Sequence, residues 1–455
     1  MDWSVDSWRA HPLAQDVHYD DPAAVDAAVA RLRTLPPLVT SWEVERLKSL
    51  LADAQVGKRF VLQGGDCAET LADTRPSIIV NKLKILLQMS LVLIHAGHRP
   101  VVRIGRMAGQ YAKPRSSPTE TRDGVTLPSY FGDLVNRPDF TAADRRADPA
   151  LLVRAYEHAA LTLNFVRTLA GGGFADLHHP EVWDLSFFER ADLPPEILDQ
   201  YQRTTTQLSE ALRFMEALGE STVDQLTRVE FYTSHEGLNL HYESAQTRPM
   251  PPHAGFYDLT AHLPWIGERT RALDGAHVEF FRGVQNPIGI KLGPTAKPRE
   301  VVALVETLDP KNEPGKIVLV TRLGAGKVHD VLPVLVEAVR RSGRRVLWIT
   351  DPMHGNTHAT STGIKTRDFD DILKEIEASY DVHAKSGSIL GGVHFELTGE
   401  DVTECVGGGV TEADLDKRYA SLCDPRLNYR QALEMAFRIA RRMADARRSL
   451  ASERP

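Results

Sequence analysis

Eight short apolar runs, at residues 59–63, 100–105, 228–233, 257–262, 286–291, 316–321, 345–350 and 392–396, constrain this chain more than any other feature. Most are separated by stretches of helical periodicity. Near-continuous apolar runs alternating with helices are expected of parallel strands covered on both faces by crossover helices. Eight βα units close into a (β/α)8 TIM barrel. The fourth run is the least defined, because Pro264 and the polar stretch HLPWIGERT blur its end. A chain of 455 residues with 42% hydrophobic and 25% charged residues can bury one large core, so a single barrel with additions is sufficient.

The additions are legible as helices. Residues 1–58 read as an N-terminal helical extension before a barrel spanning 59–455. Asp21 before Pro22 is an N-cap with proline at the first helical position, and Pro36-Pro37 stops that helix. Thr40-Ser41-Trp42-Glu43 is a capping-box pattern for a second helix that closes near Gly57. A crossover too long for one helix separates strands 2 and 3, with an insertion at about 140–225 that holds helices near 149–169 and 195–218. Asp148 and Pro149 open the first of these two.

Charge excludes some classes of partner. A net charge of -7 gives no overall electrostatic reason to bind nucleic acid or an anionic membrane surface. No stretch approaches the roughly 20 apolar residues of a membrane span. The acidic opening MDWSVDSWRAHPLAQDVHYDD lacks the features of a targeting segment. Three cysteines are too few for a disulfide framework, so a reducing, cytoplasmic location is expected.

Chemistry-bearing residues cluster at the ends of the apolar runs, where barrel enzymes build their sites. Cys67, His354, Glu396 and Asp424 form a mixed set of potential metal ligands. One thiolate, one imidazole and two carboxylates suit Mn2+, Co2+, Fe2+ or Zn2+, whereas Mg2+ prefers an all-oxygen shell. A lone cysteine is more often a small buried apolar side chain, and Asp424 before Pro425 could cap a turn. It is their shared position at one rim that favours a metal. Arg106, Arg269, Lys291 and Arg322 occupy successive strand ends, an expensive place for unpaired cations. Lys113, Pro114, Arg115 and Ser116 form a separate anion loop whose amides and hydroxyl could meet a second phosphate. Two anion sites flanking one metal imply two phosphorylated substrates. Cys423, beside Asp424, falls within disulfide reach of Cys67 if both ligands share one ion.

The stretches LQGGDCAE, RMAGQYAKPRS, WIGERTR, GIKLGP, LVTRLG, DPMHGNTH, HFELTGEDVTEC and CDPRLN resemble, in order, type II 3-deoxy-D-arabino-heptulosonate 7-phosphate (DAHP) synthases, over about residues 40–444. The resemblance implies condensation of phosphoenolpyruvate with erythrose 4-phosphate and water, giving DAHP and phosphate, the first step of the shikimate pathway. It implies Mn2+ or Co2+ held by Cys67, His354, Glu396 and Asp424. Arg106, Glu268, Arg269, Lys291 and Arg322 would surround phosphoenolpyruvate, with Glu268 also a candidate for handling protons. Lys113, Pro114, Arg115 and Ser116 would meet erythrose 4-phosphate. A homodimer or homotetramer, aromatic amino acid effectors and a chorismate mutase partner are family expectations. Two alternatives stay open: a related barrel synthase using another phosphosugar, such as an amino sugar, and a non-catalytic regulatory barrel.

Overall fold

The computed structural model describes residues 2–172 and 230–452, together with isolated positions between them. Eight parallel strands form a closed barrel: β1 (Phe60–Gly65), β2 (Val101–Arg106), β3 (Phe231–Glu236), β4 (Leu263–Ile266), β5 (Ile288–Leu292), β6 (Ile317–Thr321), β7 (Leu347–Thr350) and β8 (Leu390–Glu396). Consecutive strands are neighbours throughout, and β8 closes the ring against β1 with Gly65 opposite Glu396. This is the (β/α)8 architecture that the alternating runs imply.

The fourth strand corrects the sequence reading. Residues 253–258 pair instead in an antiparallel hairpin, His253–Asp258 against Thr247–Met250, and the barrel strand is Leu263–Ile266. The run at 257–262 is ambiguous because Asp258, Thr260 and His262 are polar yet buried, Thr260 bonded to Asp258 and His262 to Thr233, rather than facing solvent. Pro264 is tolerated in a strand of four residues, although proline removes a ladder donor. The third strand also begins later than the apolar run and ends at Glu236.

Helix α1 (Pro22–Thr34) is capped by Asp21, whose carboxylate accepts from the Ala24 amide. Helix α2 (Ser41–Gln55) has the full capping box between Thr40 and Glu43. Leu47, Leu50, Leu51 and Ala54 of α2 pack with Val61, Val102, Leu263, Val318, Val320 and Ile349 in one buried cluster. The chain before the first strand therefore contributes directly to the barrel interior. Gly315 fits beneath this helix because a Cβ there would lie 2.0 Å from the Lys48 carbonyl oxygen.

Helix α3 (Pro76–Gly97) corrects a second expectation: by length and composition it is apolar enough to span a membrane. Here it is a core helix, packed with α8 (Tyr429–Ser452) over β1 and β8. It is apolar nearly all round because neighbours cover it nearly all round. In the insertion, α4 (Ala150–Gly171) follows Pro149, and Asp148 accepts from the Ala150 amide. The remainder of the insertion, including the helix expected at 195–218, lies outside the described residues apart from isolated positions. Helices α5 (Pro298–Leu308), α6 (Val328–Ser342) and α7 (Phe369–Lys385) cover β5 to β8.

Candidate active site

The strands carry their chemistry to one end of the barrel. Gly64 and Gly65 are the last residues of β1. Gly65 adopts φ +146°, and a Cβ there would meet the Arg106 carbonyl oxygen at 2.6 Å, so only glycine allows β1 and β2 to approach this closely. The chain then delivers Asp66 and Cys67. Buried Asp66 pairs with Lys82 of α3 and, at 2.6 Å, with Arg426, which also holds Glu404. That network ties the Cys67 loop to the loop carrying Asp424.

The donor atoms of Cys67, Glu396 and Asp424 lie within 4.8 Å of one another. The Lys113 ammonium sits among them, 2.7 Å from the Cys67 Sγ, 2.5 Å from Asp424 Oδ2 and 4.0 Å from Glu396 Oε1. The donors thus already converge on a cation, and a soft thiolate with two hard carboxylates fits a borderline divalent ion. His354 joins through Glu396, its Nε2 3.0 Å from Oε1, while its Nδ1 is 2.7 Å from Asp351 Oδ2. A carboxylate behind an imidazole fixes the ring orientation that a metal ligand requires. Cys423 lies near enough to Cys67 for the two thiols to influence each other's ionisation.

Electrostatics follow burial and charge. Burial opposes ionisation of Glu396, but His354, Arg367, Lys113 and Arg106 together hold its carboxyl well below the ordinary range. Asp424 is depressed in the same sense against burial, chiefly by Lys113. Burial pushes the Cys67 thiol up, with Cys423 and Glu396 adding to the effect. A bound cation would reverse that shift and stabilise the thiolate.

Every residue expected in the site except Glu396 lines a single cavity. Glu396 lies beneath it, fully buried, taking Arg106 at 3.0 Å and Arg367 at 2.7 Å. Arg106 also meets His394 at 2.5 Å and lies over the Trp265 ring, as does the Lys291 ammonium. Lys291 pairs with Asp351, and burial pushes its pKa down to about 8. Arg322 donates to the His354 carbonyl oxygen at 2.9 Å, and Arg269 donates to Ser116 at 2.8 Å. Among the described residues neither arginine has an acidic partner, which leaves both for a ligand anion. On the other side, Arg115 is held by Glu120 at 3.1 Å. Its amide is not available to a phosphate as expected from sequence, because Gln15 Oε1 accepts it at 2.6 Å. Glu268 faces the cavity, but its carboxylate accepts from Arg271 at 3.0 Å and from the Gly293 amide at 2.6 Å.

Several residues of the site were not singled out from sequence. Glu236 ends β3 and lines the cavity; burial raises its pKa against the pull of Lys113, Lys291, His354 and Arg106, and its Oε1 has no hydrogen-bond partner among the described residues. It was hidden by placing the third strand too early. Asp351 closes β7 as Glu396 closes β8, so the signal used for Glu396 would have found it. Lys365 lines the cavity and Arg367 is buried against Glu396, both from a polar hairpin (Thr357–Ala359 with Lys365–Arg367) whose sequence gives no such hint.

The chain is similar over nearly its whole length to known proteins. The chain is 49% identical to the phospho-2-dehydro-3-deoxyheptonate aldolase of Streptomyces coelicolor, over 96% of this chain and 97% of that protein. It is 47% identical to the Neurospora crassa protein of the same name, over 99% and 96% respectively. The phospho-2-dehydro-3-deoxyheptonate aldolase AroG of Mycolicibacterium smegmatis is 46% identical, over 97% and 95%. The sequence signature of the Class-II DAHP synthetase family matches residues 3–440, nearly the whole chain and all eight strands. On this match, and with the barrel it encloses, the chain is an enzyme of the Class-II DAHP synthetase family.

Proposed function

We propose that the protein condenses phosphoenolpyruvate with erythrose 4-phosphate, using a divalent ion, Mn2+ or Co2+, held by Cys67, His354, Glu396 and Asp424. The observation that carries this reading is the pair of arginines, Arg269 and Arg322, without acidic partners among the described residues, in the same cavity as the donor cluster, with Ser116 bound to Arg269 and Arg115 next to it. Arginine forks match phosphate and carboxylate, and a basic lining that runs from Arg106, Lys291 and Arg322 through Arg269 to Ser116 and Arg115 can take two anionic substrates. The family and the names of its relatives point to the same product.

In this reading Arg106, Arg269, Lys291 and Arg322 clamp phosphoenolpyruvate above Trp265, while Arg115 and Ser116 take the phosphate of the aldehyde. Holding both reactants in line supplies much of the rate enhancement. The ion, when bound, supplies Lewis-acid polarisation of the aldehyde oxygen. Carbon 3 of phosphoenolpyruvate forms a bond to the aldehyde carbon, and water adds to the cationic carbon 2. The hemiketal so formed expels phosphate. The aldehyde oxygen gains one proton and the attacking water loses one. Glu236, which lines the cavity and whose carboxyl is shifted upward by burial, is placed to exchange such a proton. Glu268 is better suited to holding its loop, because its oxygens are already occupied by Arg271 and Gly293.

The test is release of inorganic phosphate from phosphoenolpyruvate plus erythrose 4-phosphate by chelated enzyme, before and after addition of Mn2+. Release that depends on both substrates and on the ion is expected. Its absence with this pair, alongside release with another aldehyde phosphosugar, would replace the substrate assignment.

A further inference from the structure

We infer that Gln15 is a positioning residue of the second anion subsite, joining the N-terminal strap to the loop that receives the aldehyde's phosphate. The inference rests on the two-substrate reading above. Gln15 sits in a turn at φ +60°, a left-handed conformation that side-chain-bearing residues adopt at a cost. Its side-chain oxygen accepts the Arg115 amide at 2.6 Å. That amide belongs to the first residue of the loop after Pro114, which has no N–H of its own. The next residue, Ser116, meets Arg269 at 2.8 Å, and the Arg115 guanidinium meets Glu120 at 3.1 Å.

The strap that presents Gln15 is fixed elsewhere. Trp8 is buried, the Trp3 indole donates to the carbonyl oxygens of Glu279 and Phe280 at 3.1 Å, and the Ala276 amide donates to the Pro12 carbonyl oxygen at 2.9 Å. A strained residue on an anchored strap therefore fixes the peptide plane between Pro114 and Arg115. That plane sets where the Arg115 side chain and Ser116 point. Without the acceptor the plane is free to turn, and the loop must be ordered by the substrate itself at a cost in affinity. The larger effect falls on the aldehyde's phosphate, because the Arg115 amide and side chain lie in that loop, while phosphoenolpyruvate is reached only through the contact of Ser116 with Arg269.

Two variants separate the acceptor from the strain. Gln15→Met keeps length and strain but loses the acceptor; Gln15→Gly loses the acceptor and relieves the strain. For both, KM for erythrose 4-phosphate should rise about fivefold, the worth of one hydrogen bond, while kcat and KM for phosphoenolpyruvate stay within about twofold. If the turn rejects methionine and that variant does not fold, the glycine variant carries the comparison. A joint rise in both KM values, no change in either, or normal behaviour of Gln15→Gly would overturn the inference. If the wild type does not turn over this substrate pair, the functional reading has failed and inorganic phosphate becomes the probe. Calorimetry should then show the same loss of phosphate binding in Gln15→Met as in Arg115→Ala. Wild-type affinity in Gln15→Met, or no phosphate binding by the wild type, would overturn the inference independently.

Discussion

At the scale of single residues, the site follows from a few carboxylates and cations whose partners are visible. His354 touches Glu396 on one side and Asp351 on the other, so His354→Ala removes one donor and disconnects a second carboxylate. Metal affinity should fall on the order of 10-fold or more, with turnover recovered in part at high Mn2+. Full metal content and full rate in this variant would remove His354 from the donor set. Arg322→Ala and Lys291→Ala should each lower kcat/KM for phosphoenolpyruvate by about 2 to 5 kcal/mol in transition-state terms. Arg115→Ala should act through KM for the aldehyde instead, and equal effects on both substrates from all three would contradict two separate anion sites. Cys67 and Cys423 lie near enough for each thiol to shift the other's ionisation. Chelated, air-exposed protein should therefore form a disulfide between them and regain activity with thiol and metal, whereas a free Cys423 in peptide maps after oxidation would count against it. Residues such as Cys67, Lys291 and Glu396 were legible because each stands at or just past the end of an apolar run. Arg367 was not, because its burial is created by packing of a polar hairpin against a distant carboxylate.

At the scale of elements, legibility depended on how uniformly a strand is covered. β5, β6 and β7 are apolar on both faces and were found within two residues of their ends. β3 and β4 border a buried polar cluster that includes His235, Glu243, Asp258 and Thr260, and there the apolar run and the strand do not coincide. Helix α7 carries a related tension with a measurable consequence. His383 is buried beside Trp348, its Nε2 has no hydrogen-bond partner among the described residues, and burial alone pushes its pKa down to about 4. The unfolded chain binds a proton near 6.5, so the unfolded state holds more protons between about 4 and 6.5. The contribution of a neutral His383 is thus complete above pH 6.5 and is lost as pH falls toward 4, by about 3 kcal/mol in all. Urea titrations of wild type and His383→Gln should diverge in slope across that window, because only the wild type carries this proton uptake. Parallel pH curves for the two proteins would show that His383 is charged, or hydrated, in the folded state.

At the scale of the whole molecule, the division into an N-terminal extension and a barrel describes the sequence better than it describes the core. Leu47, Leu50 and Leu51 of α2 are buried at 0 to 3% exposure in the same cluster as Val61, Val318 and Ile349 of the barrel wall. Large-to-small substitution at such positions costs about 2 to 5 kcal/mol each, against roughly 5 to 15 kcal/mol for the stability of a typical domain. Removing three such side chains together, with Trp8 and the strap it anchors, costs as much as the whole fold has to lose. A chain beginning at residue 59 should therefore fail to give a cooperative thermal transition and should accumulate as aggregate. Leu51→Ala in the full chain should remain folded, with an unfolding free energy lower by about 2 to 5 kcal/mol and with KM values close to wild type. The two outcomes belong together, because the helix supports the barrel from the end opposite the chemistry. A chain from residue 59 that melts cooperatively and binds metal would show that the barrel closes its interior without α2. A Leu51→Ala variant of unchanged stability would show that the packing of α2 against β1, β6 and β7 adds little to the fold.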